Sequence, residues 1–387
     1  MFKRASLAMF LVAFLVTCFA AVLGRASSAE TFACSGVQVN PGDDLDAIVA
    51  ADGKKQTTFC LQGSSYPVDN TVDLANGGGP GDSLVGLTGT TSPVGPAKSV
   101  EAPTKITNAT NVSNLIQTGD NSLVKWVDVS GASGRYVGGT SLPCGKPSEG
   151  AEGCPIAGHG ANIKNPSDST GVIIRYVDTH HAKAMGINGG ASVMDSEIRE
   201  NAQDPEYVGF TASGMKADEE YTVVRSYVHD NLAHGLWCDQ GCDPIATQAN
   251  GWWIHHSVVV ENSQKGIRAE FFPMVGEGVH SATPRAPRAL IENSYILGND
   301  DAGIIARDAQ NVNIRNNVFG GVTLAGKTYP HNKPTKINGL AVTASDSGRS
   351  DRTDLWNVDI TGNSLNGEGL SGCDLPPAVV TCSGNTP

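Results

Sequence analysis

The chain has 387 residues, 40% hydrophobic and 17% charged, with 46 Gly, 20 Pro and a net charge of −12. That is too rich in turn formers for a coiled coil or helical bundle, and too apolar and too low in charge for disorder. The acidic balance, with no basic stripe, argues against a nucleic-acid binder, so an anionic partner has to meet a local cationic site.

Residues 1–29 read as a secretory signal: Lys3 and Arg4, an apolar run from Leu7 to Leu23, then Ser27-Ser28-Ala29 as a cleavage site. A retained anchor is the other reading, since the run is barely long enough to span a bilayer. Cleavage removes Cys18, Lys3, Arg4 and Arg25, leaving eight cysteines and a mature chain three charges more negative. The mature chain is then expected to be extracellular, free of the membrane and monomeric. An even cysteine count in an exported chain favours disulfides, and proximity suggests Cys34–Cys60, Cys144–Cys154, Cys238–Cys242 and Cys373–Cys382. Cys238-x3-Cys242 would also suit half a zinc site, but no second pair has the spacing.

Residues 30–66 read as an N-terminal cap. Asn40 is placed to cap a helix, Pro41 to start it, and Asp43, Asp44 and Asp46 to complement its dipole. Leu45, Ile48 and Val49 form its apolar stripe, ending near Gly53. Strands are expected at residues 57–61, 84–85, 106, 115–116 and 123–129, separated by Gly, Pro, Asn and Asp. Residues 131–160 contain few β formers and hold Cys144 and Cys154, which suggests a disulfide-stapled loop. Residues 371–387 are expected as a C-terminal tail of one domain covering 30–387.

The central signal is an internal repeat: apolar, two variable, Ser or Asn, one variable, apolar, two variable, Asn, three variable, Gly. Val223, Ser226, Val228, Asn231 and Gly235 fit it, as do Ile254, Ser257, Val259, Asn262 and Gly266. Ile291, Ser294, Ile296, Asn299 and Gly303 fit again, while Val193, Ser196, Ile198 and Asn201 match the first four positions. Ile314, Asn317 and Phe319 continue it, and Ile360, Asn363 and Leu365 more faintly. A short unit of this kind cannot bury its own apolar face and has to stack on its neighbours. Polar Ser and Asn in register suggest hydrogen-bonded ladders at fixed corners. A β-propeller is the competing architecture, but its blade signatures are absent.

With the cap and the strand-turn at residues 57–68, the repeat resembles the right-handed parallel β-helix of the pectin-lyase-like superfamily, over roughly residues 34–370. The resemblance implies an all-β solenoid with a short capping helix, and it points to polysaccharide as the partner. It does not extend to an activity: no Asn-Thr-Asp or Arg-Ile-Lys set resembles polygalacturonase, and Arg285-Ala286-Pro287-Arg288 is too short for the pectate lyase motif.

Alternation after each repeat glycine gives faces. Met215, Ala217, Leu236, Cys238, Ile267, Ala269, Ile304 and Ala306 are expected inward; Asn188, Lys216, Trp237, Arg268 and Ile305 outward in one column; Asp218, Asp239, Glu270 and Arg307 outward in the next. Three carboxylates in one column cost stability unless a cation, proton or ligand intervenes. Trp237 is expected as an exposed platform for a sugar ring, and His234 and Arg307 as further substrate contacts. Two chemistries remain open. In hydrolysis, two of Asp239, Glu270 and Asp218 act as acid and nucleophile or base. In β-elimination, Lys216, Arg268 and Arg307 neutralise a uronate and remove a proton, and the carboxylates can hold Ca²⁺. A non-catalytic carbohydrate-binding or adhesin-like solenoid is the alternative. His180-His181, His229 and His255-His256 read as turn or ladder residues, and the loops at about 240–249 and 272–287 as carriers of specificity.

Overall fold

A computed structural model describes residues 34–53, 55–75, 81–133, 160–166, 169–203, 212–219, 221–243, 252–272, 289–332, 340–343, 356–377 and 380–387. The expected signal, most of the stapled loop with Cys144 and Cys154, and most of both specificity loops lie outside these residues.

Successive coils of the chain contribute short strands to three faces, and among the described residues every strand pair between coils is parallel. On the first face Val193 pairs with Val223, Val223 with Ile254 and Ile254 with Ile291. On the second, Ile198 pairs with Val228, Val228 with Val259 and Val259 with Ile296. On the third, Met215 pairs with Leu236, Leu236 with Ile267 and Ile267 with Ile304. The protein is a right-handed parallel β-helix. Its apolar core runs from Val39 to Val380, and the eight side chains expected inward after the repeat glycines are all at most 1% exposed.

The helix at the N-terminus spans Leu45–Ala51. Its cap is Asp44, which accepts from the Ala47 amide at 3.1 Å, and not Asn40. Asn40 is instead tied into its own turn: its amide donates to the Asp43 carboxylate at 2.7 Å and its carbonyl accepts from the Asp43 amide. Pro41 therefore lies in that turn and not at the first helical position. The expected strand at 123–129 divides into Leu123–Lys125 and Val127–Ser130. Trp126 between them adopts a left-handed conformation, φ 55°, and turns the chain from the first face to the second. Tyr176, Asp195, Arg225 and His256 do the same on later coils, and His181, Glu200, Asp230 and Glu261 turn the corner after the second face. His181 and His256 are thus turn residues.

Two buried ladders hold the corners. Asn201, Asn231, Asn262, Asn299 and Asn332 stack so that each side-chain amide donates to the next carbonyl oxygen at 2.9–3.1 Å. The same oxygens also accept backbone amides from the coil before. Ser196, Ser226, Ser257, Ser294, Asn317, Asn363 and Asn385 form the second, each accepting the amide of its predecessor. The ladder explains the repeat glycine. A Cβ on Gly235 would lie 2.8 Å from the Asn262 amide nitrogen and 2.7 Å from the Gly266 carbonyl. The ladder ends on Glu368, which accepts from Asn332. The last residues add a rung, Val358 pairing with Val380.

Cys34–Cys60 and Cys373–Cys382 are bonded as expected, and Cys238 is also oxidised.

Removing one ladder amide leaves two buried donors of Asn231 without their acceptor. Asn262→Ala is expected to cost about 2–4 kcal/mol in denaturant unfolding, and a loss below about 0.5 kcal/mol contradicts the ladder's role.

Candidate functional site

On the outside of the third face the column occurs in the expected order: Asn188 pairs with Lys216, Lys216 with Trp237, Trp237 with Arg268 and Arg268 with Ile305. Trp237 is not an exposed platform; it is 3% exposed. Because its neighbours in the column are long cations, Lys216 and Arg268 both close over the indole, at 4.1 and 4.2 Å from a ring centroid. Alternation determines that a side chain points outward, but not what its rung neighbours lay across it.

The next column also differs from expectation. The register between the Ser213–Glu219 and His234–Asp243 strands shifts between Ala217 and Glu219, so Asp218 is not placed opposite Asp239 by regular pairing. The Asp218 side chain lies outside the description. The two described carboxylates each meet a cation: Lys216 Nζ is 2.7 Å from Asp239, and Arg268 Nη2 donates to Glu270 Oε1 at 2.7 Å. Arg307, paired with Glu270 in register, reaches the same oxygen at 3.4 Å. Asp239 and Glu270 thus each take part in a cross-column ion pair.

His234 is 1% exposed and sits edge-on to Trp237. Arg268 Nη1 donates to its Nε2 at 2.8 Å, and the Lys265 amide lies 3.4 Å from Nδ1. Burial, then Arg268, Lys265 and Lys216, holds this imidazole well below its usual range. It contacts Arg268 and is closed to solvent, whereas the sequence reading suggests a residue open to a substrate. Two buried polar atoms of the cluster have no hydrogen-bond partner among the described residues, Glu270 Oε2 and Trp237 Nε1. Arg268 and Arg307, with side chains 17% and 31% exposed, carry the cluster to solvent.

A second group of ionisable residues, which the sequence reading did not assemble, lies outside the second face. Asp128, Asp178 and Glu197 occupy one column on consecutive coils, and His180, Arg199 and His229 the neighbouring one. Each carboxylate pairs diagonally with the base one coil on: Asp128 with His180 at 2.8 Å, Asp178 with Arg199 at 2.7 Å, Glu197 with His229 at 2.9 Å. An antiparallel hairpin, Thr90–Val94 and Ala97–Glu101, lies over them. Glu197 pins it, accepting from Ser99 Oγ at 2.6 Å and the Val100 amide at 2.7 Å. Between hairpin and sheet is a cleft of about 740 Å³. Burial raises the Asp178 carboxyl to about 6 against the opposing pull of Arg199. For His229, burial alone would lower the imidazole, but its bonds to Asp230 and Glu197 outweigh that and raise it. These residues were accessible to the same alternation rule, as outward neighbours of Val129, Thr179, Ile198 and Val228; the hairpin over them was not.

The donor groups with metal-binding spacing among the described residues are Asp128, Asp178 and His180, and His180, His181 and Glu200. Both lie at the second face, so the Ca²⁺ expected among carboxylates of the third has no counterpart there among the described side chains.

No family model matches this chain, and no curated protein matches it. Solved structures similar to it include the Azotobacter vinelandii mannuronan C-5 epimerase AlgE6 A-module, at 15% identity and TM-score 0.44, covering 88% of this chain and 92% of that one. Pectate lyase Pel9A is similar at 13% identity and TM-score 0.44, covering 91% and 78%. The tailspike protein gp49 of Acinetobacter baumannii bacteriophage Fri1, a capsular polysaccharide depolymerase, shares 11% identity at TM-score 0.46, covering 91% and 55%.

The Asp178 carboxyl binds its proton more tightly in the folded chain than its ordinary 3.8 implies, so the stability it contributes is present at low pH and lost as pH rises towards about 6. Asp178→Asn removes that term. The difference in unfolding free energy between native chain and variant is expected to shift against the native chain from about pH 4 to about pH 6.5; a flat difference contradicts the assignment.

Proposed function

We propose that this chain is an exported protein that cleaves a uronate-containing polysaccharide on the outer face of the third sheet. Oxidised Cys34–Cys60 and Cys373–Cys382 support export, since such bonds persist in oxidising compartments. The observation that carries the ligand class is the pair of buried polar atoms without hydrogen-bond partners among the described residues, Glu270 Oε2 and Trp237 Nε1. Groups of this kind are seldom left unsatisfied. One needs a donor and the other an acceptor, and a sugar hydroxyl supplies both. Arg268 and Arg307 at the solvent edge present forked guanidiniums suited to a carboxylate, which favours an acidic sugar.

The geometry suits β-elimination better than hydrolysis, because each carboxylate is set against a cation. Arg268 and Arg307 hold Glu270 Oε1, and Oε2 takes the C5 proton of the uronate. The C5–H electron pair forms the C4–C5 double bond as the C4–O bond breaks. Lys216, held by Asp239, protonates the departing oxygen. The products are an unsaturated uronate and a new chain end, and His234 keeps Arg268 in position.

The mature protein is to be incubated with uronic-acid and neutral polysaccharides, with and without Ca²⁺, following ultraviolet absorbance of unsaturated product and reducing ends. Absorbance is expected on a uronate polymer, and Glu270→Gln is expected to slow it by about 100-fold or more while the variant still unfolds cooperatively. Reducing ends without absorbance assign hydrolysis. Silence on both, with retained binding, assigns a binding protein.

A further inference from the structure

The outer columns of the second sheet change character along the solenoid. One reads, coil by coil, Asp128, Asp178, Glu197, Tyr227, Val258, Tyr295. Its neighbour reads Ser130, His180, Arg199, His229, Val260, Leu297. At the apolar end the hairpin packs directly on the sheet, Val94 and Ala97 joining Tyr227, Val258, Val260 and Leu297. At the ionised end Glu197 holds the hairpin through Ser99 and Val100, and the cleft lies beside that contact, lined by Asp128, Asp178, Lys105 and Arg199. Cover alone does not require charge there. Apolar side chains serve on the next coils, and buried ion pairs are in general no more stabilising than apolar replacements of similar volume. Charge and open volume coincide.

The carboxylates are not all committed to holding the hairpin. Glu197 is engaged by Ser99, Val100 and His229. Asp178 takes two bonds from Arg199, at 3.1 and 2.7 Å, and Asp128 takes His180 at 2.8 Å and Lys105 at 3.6 Å. An ionised carboxylate has about four acceptor positions, so Asp128 and Asp178 both retain capacity. Their acceptor atoms and that of His180 lie within 4.8 Å of one another.

We infer that this cleft is a second saccharide site, separate from the third face, which holds a short neutral stretch of glycan through its hydroxyls. Asp128 and Asp178 accept hydroxyl hydrogens, Arg199 and Lys105 donate to sugar oxygens, and Thr88 and Thr90 at the rim do both. The volume lies within the range of about 300–1,000 Å³ common for small-ligand sites. The wall carries Glu101, Asp128, Asp178 and Glu197 against Lys105, Arg199 and His229. A uronate carboxylate is repelled by that balance, whereas it is drawn to Arg268 and Arg307. The two faces thus sort neutral from acidic sugar residues. The inference shares with the proposed function only the premise that the ligand is a glycan, and it requires no cleavage.

The test is calorimetric titration of the mature protein with neutral hexasaccharides (gluco-, manno- and xylo-oligomers) and with oligouronates. Three variants are compared: Thr90→Trp, which fills the mouth from an exposed position; Asp128→Asn, which removes an acceptor charge; and Arg268→Ala on the third face. Unfolding midpoints check that each is folded. A neutral oligomer is expected to bind, to weaken about tenfold or more in Thr90→Trp and Asp128→Asn, and to be unaffected by Arg268→Ala. Oligouronates are expected to show the reverse. The inference is overturned if no neutral oligomer binds, if Ca²⁺ or Zn²⁺ binds the cleft and glycans do not, if both cleft variants bind neutral oligomers normally, or if Arg268→Ala abolishes neutral binding. Neutral binding that follows the cleft variants without any uronate cleavage leaves this site standing and removes the proposed function.

Discussion

A buried asparagine that donates to the asparagine above it, and accepts from the one below, is the interaction on which this solenoid depends. The distance along the chain from one ladder residue to the next varies: 30 residues from Asn201 to Asn231, 31 to Asn262, 37 to Asn299 and 33 to Asn332. Yet the oxygen of each accepts the same two donors from the coil before. An amide moved by one residue would leave its donors and acceptor buried and unpaired, so insertions are confined to places where they do not disturb the stack. The glycine four residues on is a consequence, because the amide of the next coil occupies the space a side chain would need.

Register then produces chemistry. With strands locked in parallel, any outward position becomes a column, and a charge can be answered from the next coil. On the third face this places Lys216 and Arg268 across Trp237, and Arg307 beside Glu270. On the second it produces diagonal pairs, each carboxylate answered one coil later. Burying so many charges is expensive, and it is tolerated because every partner is delivered by the backbone and not by a flexible loop. The same columns become apolar at Val258 and Tyr295, where the hairpin tip needs a dry surface.

What could be read from the sequence follows from the same physics. The Ser, Asn and Gly positions repeat because the ladders require those groups, and the inward residues alternate because the core requires it. Trp126 left no mark: a left-handed corner at a large aromatic has no compositional tag, so two strands looked like one. Asp44 was passed over as the helix cap because Asn40 and Pro41 form a plausible start that the Asn40–Asp43 turn uses instead. Asn332 was hidden because the Thr323–Leu324 and Lys327–Thr328 hairpin displaces it from the repeat spacing. Burial of Trp237 and His234 depends on cations from neighbouring coils, and the cleft on an insertion more than a hundred residues before His229 in the chain. Alternation supplies direction; cover is supplied from elsewhere in the sequence.

The most direct test is a crystal structure of the Glu270→Gln variant with a bound oligouronate. A sugar hydroxyl meeting the amide that replaces Glu270 Oε2 and the Trp237 indole N–H, with the uronate carboxylate at Arg268 and Arg307, is the predicted result. An oligouronate bound on another face, or resting on the solenoid without touching those groups, would contradict the assignment of this site.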